Sequence, residues 1–215
     1  MELRVKKQED IEAQVYRIIR EMIVNRKFAP GQRIIQEEVA NMLGVSRTPV
    51  KRAITQLINE HLIIQKKGYY YVNSLDYNEL ASIYEIRAVL EGLACRMAAP
   101  KAGKTWCDYM KKLFEDAKND PDKYYKADIE FHTSIPKLAN NPILTQVLDS
   151  FRILTISFSS GLIRKLKETF PEHIQIIDAL VSHNEELAET LGREHIRKSV
   201  YILKGKAEKD LVIKK

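Results

Sequence analysis

The chain is poor in the residues that mark secreted, membrane-spanning or disulfide-held proteins. Only two cysteines occur in 215 residues. The separation of Cys95 and Cys107 fits neither a CxxC redox pair nor a metal-binding pair, so both are expected to be reduced thiols. No window reaches the roughly 20 apolar residues of a membrane span. The N-terminus, MELRVKKQEDIEAQ, lacks the apolar core of a signal peptide. These absences lead to the expectation of a soluble cytoplasmic protein with no membrane partner. Eight glycines and seven prolines, set against long 3.6-residue apolar patterns, exclude a turn-rich sandwich or barrel and favour a mainly α chain.

Charge is plentiful and unevenly placed. Charged residues make up 30% of the chain and apolar ones 45%, with a net charge of +6 at pH 7, a balance that folds rather than staying disordered. Residues 1–74 carry 13 Lys/Arg against 8 Asp/Glu, whereas residues 75–215 carry 22 against 21. The length accommodates a small domain joined to a medium one. A basic segment at 1–74 followed by a nearly neutral one at 75–215 makes nucleic acid the first candidate partner of the former.

Within the basic segment, Ile11, Val15, Ile18, Ile19, Met22 and Ile23 lie at helical spacing, and the helix stops at Lys27-Phe28-Ala29-Pro30-Gly31. A second helix, with Ile35, Val39, Ala40 and Leu43, ends at Gly44. Thr48 is expected to cap a third, with Pro49 at its first position. That helix turns Val50, Ile54, Leu57 and Ile58 inward and leaves Lys51, Arg52, Thr55, Gln56 and Asn59 on its open face. Such side chains bond phosphates and base edges. Two short helices around a Gly-containing turn read as helix-turn-helix. Residues 62–72, β-rich around Lys66-Lys67-Gly68, read as a two-stranded wing. The alternative is a solvated basic surface at Lys51, Arg52, Lys66 and Lys67 on a protein-binding helical domain.

Pro30-Gly31-Gln32-Arg33, Val39-Ala40, the run Leu43-Gly44-Val45-Ser46-Arg47-Thr48-Pro49-Val50, Leu57, and Gly68 before Val72 together resemble the winged helix-turn-helix of the GntR family of bacterial transcriptional regulators over about residues 10–74. The resemblance implies that Arg33, Ser46, Arg47, Thr48 and Gly68 meet operator DNA, with Lys51, Arg52, Lys66 and Lys67 alongside. Lys51-Arg52 departs from the family's usual Arg-Glu, exchanging a planar bidentate donor for a point charge and removing an acid. The wing is one residue longer than the usual Gly-x-x-Val.

In the neutral segment, Asp76 can cap a helix starting at Tyr77 and running to Ala99. A second helix passes through Trp106, Met110, Leu113 and Phe114. Others are expected at about 123–138, 141–163, 170–191 and 193–209, giving an antiparallel bundle of six. Arg87-Ala88-Val89-Leu90-Glu91, Asp128 to His132, Glu172-His173 with Ile177, and Arg193 to Ile196 resemble, in order and spacing, the FCD domain of FadR-like GntR regulators. The resemblance implies effector binding by Arg87 and a metal held by Asp128, His132, His173 and His195. Asp128 and His132 are i and i+4, stacked on one helix face, where two readings compete: shared ligation of an ion, or a surface ion pair. Three imidazoles and a carboxylate suit Zn, Ni, Mn or Fe alike. Arg87 either clamps an effector carboxylate or pairs with Glu91 or Glu85. The hydroxyls of Thr155, Ser157, Ser159 and Ser160 either line a cavity or bond back to their own helix. His61, near the end of the third helix, and His183, about 80° around its helix from His173 and expected at the surface, are not among the expected ligands.

The expected function is a homodimeric DNA-binding transcriptional regulator whose operator affinity answers to a small organic acid bound near a divalent transition metal. It is not expected to be an enzyme. A metal-dependent enzyme acting on a small carboxylate, with a DNA-binding appendage, is the alternative, against which stands the lack of an accompanying general base or nucleophile.

Overall fold

The computed structural model describes residues 10–158 and 162–213, with the side chains of 156–158 and 210–213 left undescribed. Contacts divide it into two compact units that part after Ser74. The first unit holds three helices and a small sheet. Helix α1 (Ile11–Val24) begins at Asp10, whose carboxylate accepts from the Glu12 amide. It buries Val15, Ile19 and Ile23, a narrower stripe than the sequence suggests, because Ile11 and Ile18 stay exposed. Next come β1 (Arg33–Ile34) and α2 (Gln36–Leu43), the helix closed by Gly44 at φ 66°. Helix α3 (Arg47–Asn59) starts one residue earlier than expected. Ser46, with an extended backbone, is its N-cap, and Thr48 is already helical. Pro49 therefore occupies the third helical position, where an amide would have no partner within the helix.

Strands β2 (Ile63–Lys66) and β3 (Tyr69–Val72) form the wing hairpin, with Lys66 opposite Tyr69. The two-residue turn Lys67-Gly68 has both φ angles positive, 49° and 80°, a conformation whose twist matches the strands. The wing gains a third strand that the sequence reading omits. Arg33 pairs with Tyr71 and Ile34 with Tyr70, in the order β1-β3-β2, all antiparallel.

The second unit is helical: α4 (Tyr77–Ala98), a 3-10 turn at Ala99–Lys101, α5 (Lys104–Ala117), α6 (Pro121–Leu138), α7 (Pro142–Phe158), α8 (Leu166–Val181) and α9 (Glu185–Ile213). A capping box starts α4: Asp76 accepts from the amides of Asn78 and Glu79, and Glu79 accepts from that of Asp76. The break between the last two helices falls at 182–184 rather than at Gly192. Asn184 N–H bonds Ala179 O and His183 N–H bonds Leu180 O, while Asn184 Oδ1 accepts from the Leu187 amide. Gly192 continues α9, and its missing side chain serves packing. A Cβ there would stand 2.6 Å from Cys95 Sγ on α4. Cys95 and Cys107 are both free and buried. The core gathers Phe114, Tyr124, Phe131 and Ile176 among α5, α6 and α8.

Candidate nucleic-acid interface and candidate metal centre

In the first unit, Ser46, Arg47, Thr48, Lys51 and Arg52 are exposed along the start and open face of α3, as are Arg33, Lys66, Lys67 and Gly68 on the sheet and its tip. Ser46 makes no side-chain capping bond, so its hydroxyl is uncommitted to the helix. Arg52 is engaged: its guanidinium lies 2.6 Å from Glu12 on α1. An exposed pair of this kind is weak enough for a phosphate to compete with it. Arg33 stacks over Tyr69, 3.9 Å from the ring centroid, which holds its planar head against the wing.

In the second unit, α6 presents Asp128 and His132, α8 presents His173 and α9 presents His195. One ligand atom from each lies within 4.8 Å of the others. His173 is fully buried, stacked 4.4 Å from the Phe114 ring and edge-on to Phe131. Its Nε2 lies 3.4 Å from both Asp128 Oδ1 and His132 Nε2. Three imidazoles and a carboxylate, on three helices of a buried core, form a donor set that fits a divalent transition ion.

Each imidazole is held from behind by its other nitrogen. His132 Nδ1 meets Glu91 Oε2 at 2.5 Å, and Glu91 Oε1 takes two bonds from Arg87, at 2.9 and 2.5 Å. His195 Nδ1 meets Glu172 Oε2 at 2.8 Å. Glu172 also receives both terminal nitrogens of Arg164, at 2.7 Å each, and Lys198 Nζ at 2.8 Å. His173 Nδ1 meets the Tyr124 hydroxyl at 2.8 Å. Outer partners of this sort fix ring orientation and ligand basicity.

The electrostatics favour the neutral, ligating form of two of the three rings. Burial first, then the neighbouring charges of His195, His132 and Arg164, push His173 well below the usual imidazole range. Burial also lowers His195, overcoming its bond to Glu172. Both rings are therefore neutral. For His132 burial works downward, but the charge and hydrogen bond of Glu91 together outweigh it and raise its pKa. Burial opposes ionisation of Glu91 too, yet Arg87 and His132 hold it at about 2. Glu172, against its burial, is kept far below the carboxylate range by Arg164, His195 and Lys198.

The structure brings together all four residues read as metal ligands, and neither His61 in the first unit nor His183 in the second belongs to that group. Both lie just past helix ends with positive φ and are exposed. His183 is beyond α8 rather than on it, bonded to Ala99 O at 2.7 Å. Arg87 is buried on Glu91, the ion-pair alternative of the sequence reading. Thr155 bonds back to Arg152 O at 2.8 Å. Of the remaining hydroxyls, Ser159, Ser160 and the side chain of Ser157 lie outside the described residues. The sequence reading did not assign Glu91, Glu172, Tyr124, Thr169, Arg164 and Lys198 a part in the site. Their signal is weak because each acts from a different turn or helix than the ligand it supports. Glu172 adjoins His173 in the chain but serves His195.

Comparison with known proteins follows this division. Residues 11–69 match bacterial regulatory proteins of the gntR family, and residues 82–198 match the FCD domain. The Nta operon transcriptional regulator of Aminobacter aminovorans is 30% identical over 185 residues, 82% of this chain and 87% of that protein. A putative transcriptional regulator GntR from Rhodococcus sp. RHA1 shares the fold with a TM-score of 0.72 at 22% identity, covering 90% of this chain and 97% of the other. McbR/YncC of E. coli does so with a TM-score of 0.69 at 19% identity, covering 91% and 97%.

Proposed function

The chain belongs to the gntR family of bacterial regulatory proteins and carries the FCD domain, so it is a DNA-binding transcriptional regulator of that type rather than an enzyme, and from this premise we propose that a small organic acid bound beside a metal ion in the helical unit controls its operator affinity. The observation that carries the proposal is the convergence of Asp128, His132, His173 and His195 within 4.8 Å, each imidazole backed by an outer partner. Those four residues would hold the ion, Zn, Ni, Mn or Fe by donor chemistry. The ion supplies a Lewis-acidic point for a carboxylate oxygen.

Arg87 supplies positive charge beside that point. Its Nε and one terminal nitrogen are already given to Glu91, so its part toward an acid falls to its remaining N–H groups. Ser46, Arg47, Thr48 and Lys51 read the operator from α3, joined by Arg52 once a phosphate displaces Glu12. Arg33, Lys66, Lys67 and Gly68 follow the DNA from the wing. Residues 1–74 thus form the DNA-binding domain and residues 75–215 the effector-binding and dimerisation domain. Ile86, Val89 and Leu93 leave an exposed apolar stripe on α4, which a second copy would cover in a homodimer matched to a two-fold operator. Among the described residues no helix is long and apolar enough to cross a membrane. We place the protein in the bacterial cytoplasm, at the nucleoid when it holds DNA.

For the acid to act, it must bind the DNA-competent and incompetent arrangements with different affinity. Three single variants test the centre. His173→Ala and His195→Ala should lower metal occupancy and remove metal-dependent thermal stabilisation, while His183→Ala should do neither. Equal metal content in all three variants and the unaltered protein, by elemental analysis, ends the proposal.

A further inference from the structure

Arg33 and Arg52, two arginines read as DNA contacts, are held by their own unit in chemically different ways. Arg52 Nη1 lies 2.6 Å from Glu12 Oε1, a contact that uses one of its donors and offsets its charge. Arg33 lies instead over a ring, its Cζ 3.9 Å from the centroid of Tyr69. The face of a phenol attracts a guanidinium through its quadrupole. It takes nothing from the N–H groups at the rim of that planar head, so the charge and the five donors stay available.

Strand register explains how the two side chains meet. Arg33 stands opposite Tyr71 on β3, and side chains on one face of a sheet recur at every second residue, so Arg33, Tyr71 and Tyr69 share a face. Tyr69 is thus the diagonal neighbour of Arg33, roughly 7–8 Å away, a distance that a long side chain spans. The side chain of Arg33 therefore runs along the sheet toward the hairpin turn. Its head ends beside the residue that directly follows Gly68 and stands opposite Lys66. A third cation is delivered in this way to a tip that already carries Lys66 and Lys67, all three of them exposed. Like-charge repulsion and the rotamer freedom of a long exposed side chain would disperse that head, and the ring opposes both. We infer that Tyr69 is a positioning residue, whose ring holds the Arg33 guanidinium at the wing tip with its charge and donors free for DNA. Ordering the head before DNA arrives lowers the cost of ordering it on binding.

This inference rests on the reading of Arg33 as an operator contact, and one experiment separates the two. The probe is a DNA duplex that the unaltered full chain recovers from a pool of random-sequence duplexes, titrated by fluorescence anisotropy at one fixed salt concentration. Tyr69→Val keeps the preference for strand and removes the ring. It should weaken binding about 5-fold, the worth of one exposed cation–π contact. Tyr69→Phe keeps the ring and should bind as the unaltered protein does. In a chain that already carries Arg33→Ala, Tyr69→Val should cost nothing further. A merely structural role in the hairpin would weaken binding equally with or without Arg33, so equal losses in the two backgrounds overturn the inference. Full affinity in Tyr69→Val beside a weakened Arg33→Ala does the same. A loss in Tyr69→Phe as large as that in Tyr69→Val also overturns it, and assigns the contact to the hydroxyl. Full affinity in Arg33→Ala overturns the reading of Arg33 as an operator contact, and the inference falls with it.

Discussion

Glu172 and His173 follow one another on α8, yet they leave the helix about 100° apart, so the carboxylate reaches His195 while the imidazole enters the core. Direction of this kind decides what a residue can do more than its place in a motif does. Arg47 is the counterpart in the first unit: exposed, at the first position of α3, with Ser46 before it as cap. Arg47→Ala should weaken operator binding by about 1–3 kcal/mol, the worth of one good base contact, and leave metal content unchanged. Unaltered affinity at matched salt would show that α3 docks otherwise. Tyr16 offers a pH-dependent check on the same unit. Its hydroxyl bonds Glu60 at 2.5 Å, and burial, then the bond and charge of Glu60, push its pKa up to about 12. A folded pKa above the unfolded value contributes stability fully present below about pH 10 and lost as the pH rises through about 12. Tyr16→Phe should therefore destabilise the unit at pH 8 and do so progressively less toward pH 12. Urea unfolding at a series of pH values reads the difference, and a constant gap would show that the phenol does not titrate as assigned.

Among the elements, α9 is the one whose limits depend most on its partner. Gly192 reads as a helix stop in isolation, but in the structure it lies inside 29 helical residues because α4 approaches there. On α4, Gly92 faces the same contact, where an added Cβ would stand 3.0 Å from Arg193 Cβ. Gly192→Ala should improve intrinsic helix propensity yet destabilise the protein by about 1–3 kcal/mol through overpacking against Cys95. Cys95→Ala in the same chain should recover much of that loss, measured by chemical denaturation. A Gly192→Ala variant as stable as the parent would mean that the two helices part without cost. The real break, Ser182-His183-Asn184, carries its signal in hydrogen bonds. His183 accepts a left-handed conformation that glycine or asparagine usually takes, and the sequence offers no glycine to announce it.

At the scale of the whole molecule, five of the six excess positive charges fall within residues 1–74, so the attraction to DNA is concentrated in one unit while the other remains nearly neutral. Lys66 and Lys67 at the wing tip are expected to act through phosphate charge. Changing both to alanine should reduce the slope of log affinity against log salt by about 2, near 0.9 for each phosphate no longer neutralised, with base preference kept. Relaxed base preference with an unchanged slope, in titrations over a range of salt, would assign them to base reading instead. The proposed effector would act at this scale as well. Its influence on DNA binding would equal the difference in its affinity for two arrangements of the molecule, and DNA would change effector affinity by the same factor.

The amino-acid pattern alone determined the class of fold, the helix-turn-helix with its wing and the helical second unit, because apolar periodicity, Gly44 as a helix end and Asp76 as a cap act over a few residues. It also pointed to the four residues that cluster, through the one-turn spacing of Asp128 and His132 and through the family pattern that added His173 and His195. Tertiary structure decided the remainder. The strand Arg33–Ile34 exists only because β3 pairs with it, Gly192 is helical only because α4 packs there, and Arg87 turns to Glu91 only because both are buried together. The supports of the histidines belong to the same class. Glu172, Arg164, Tyr124 and Thr169 come within hydrogen-bonding distance of one another or of the ligands across helices, and such contacts follow from the packing of the helices, which no local pattern encodes.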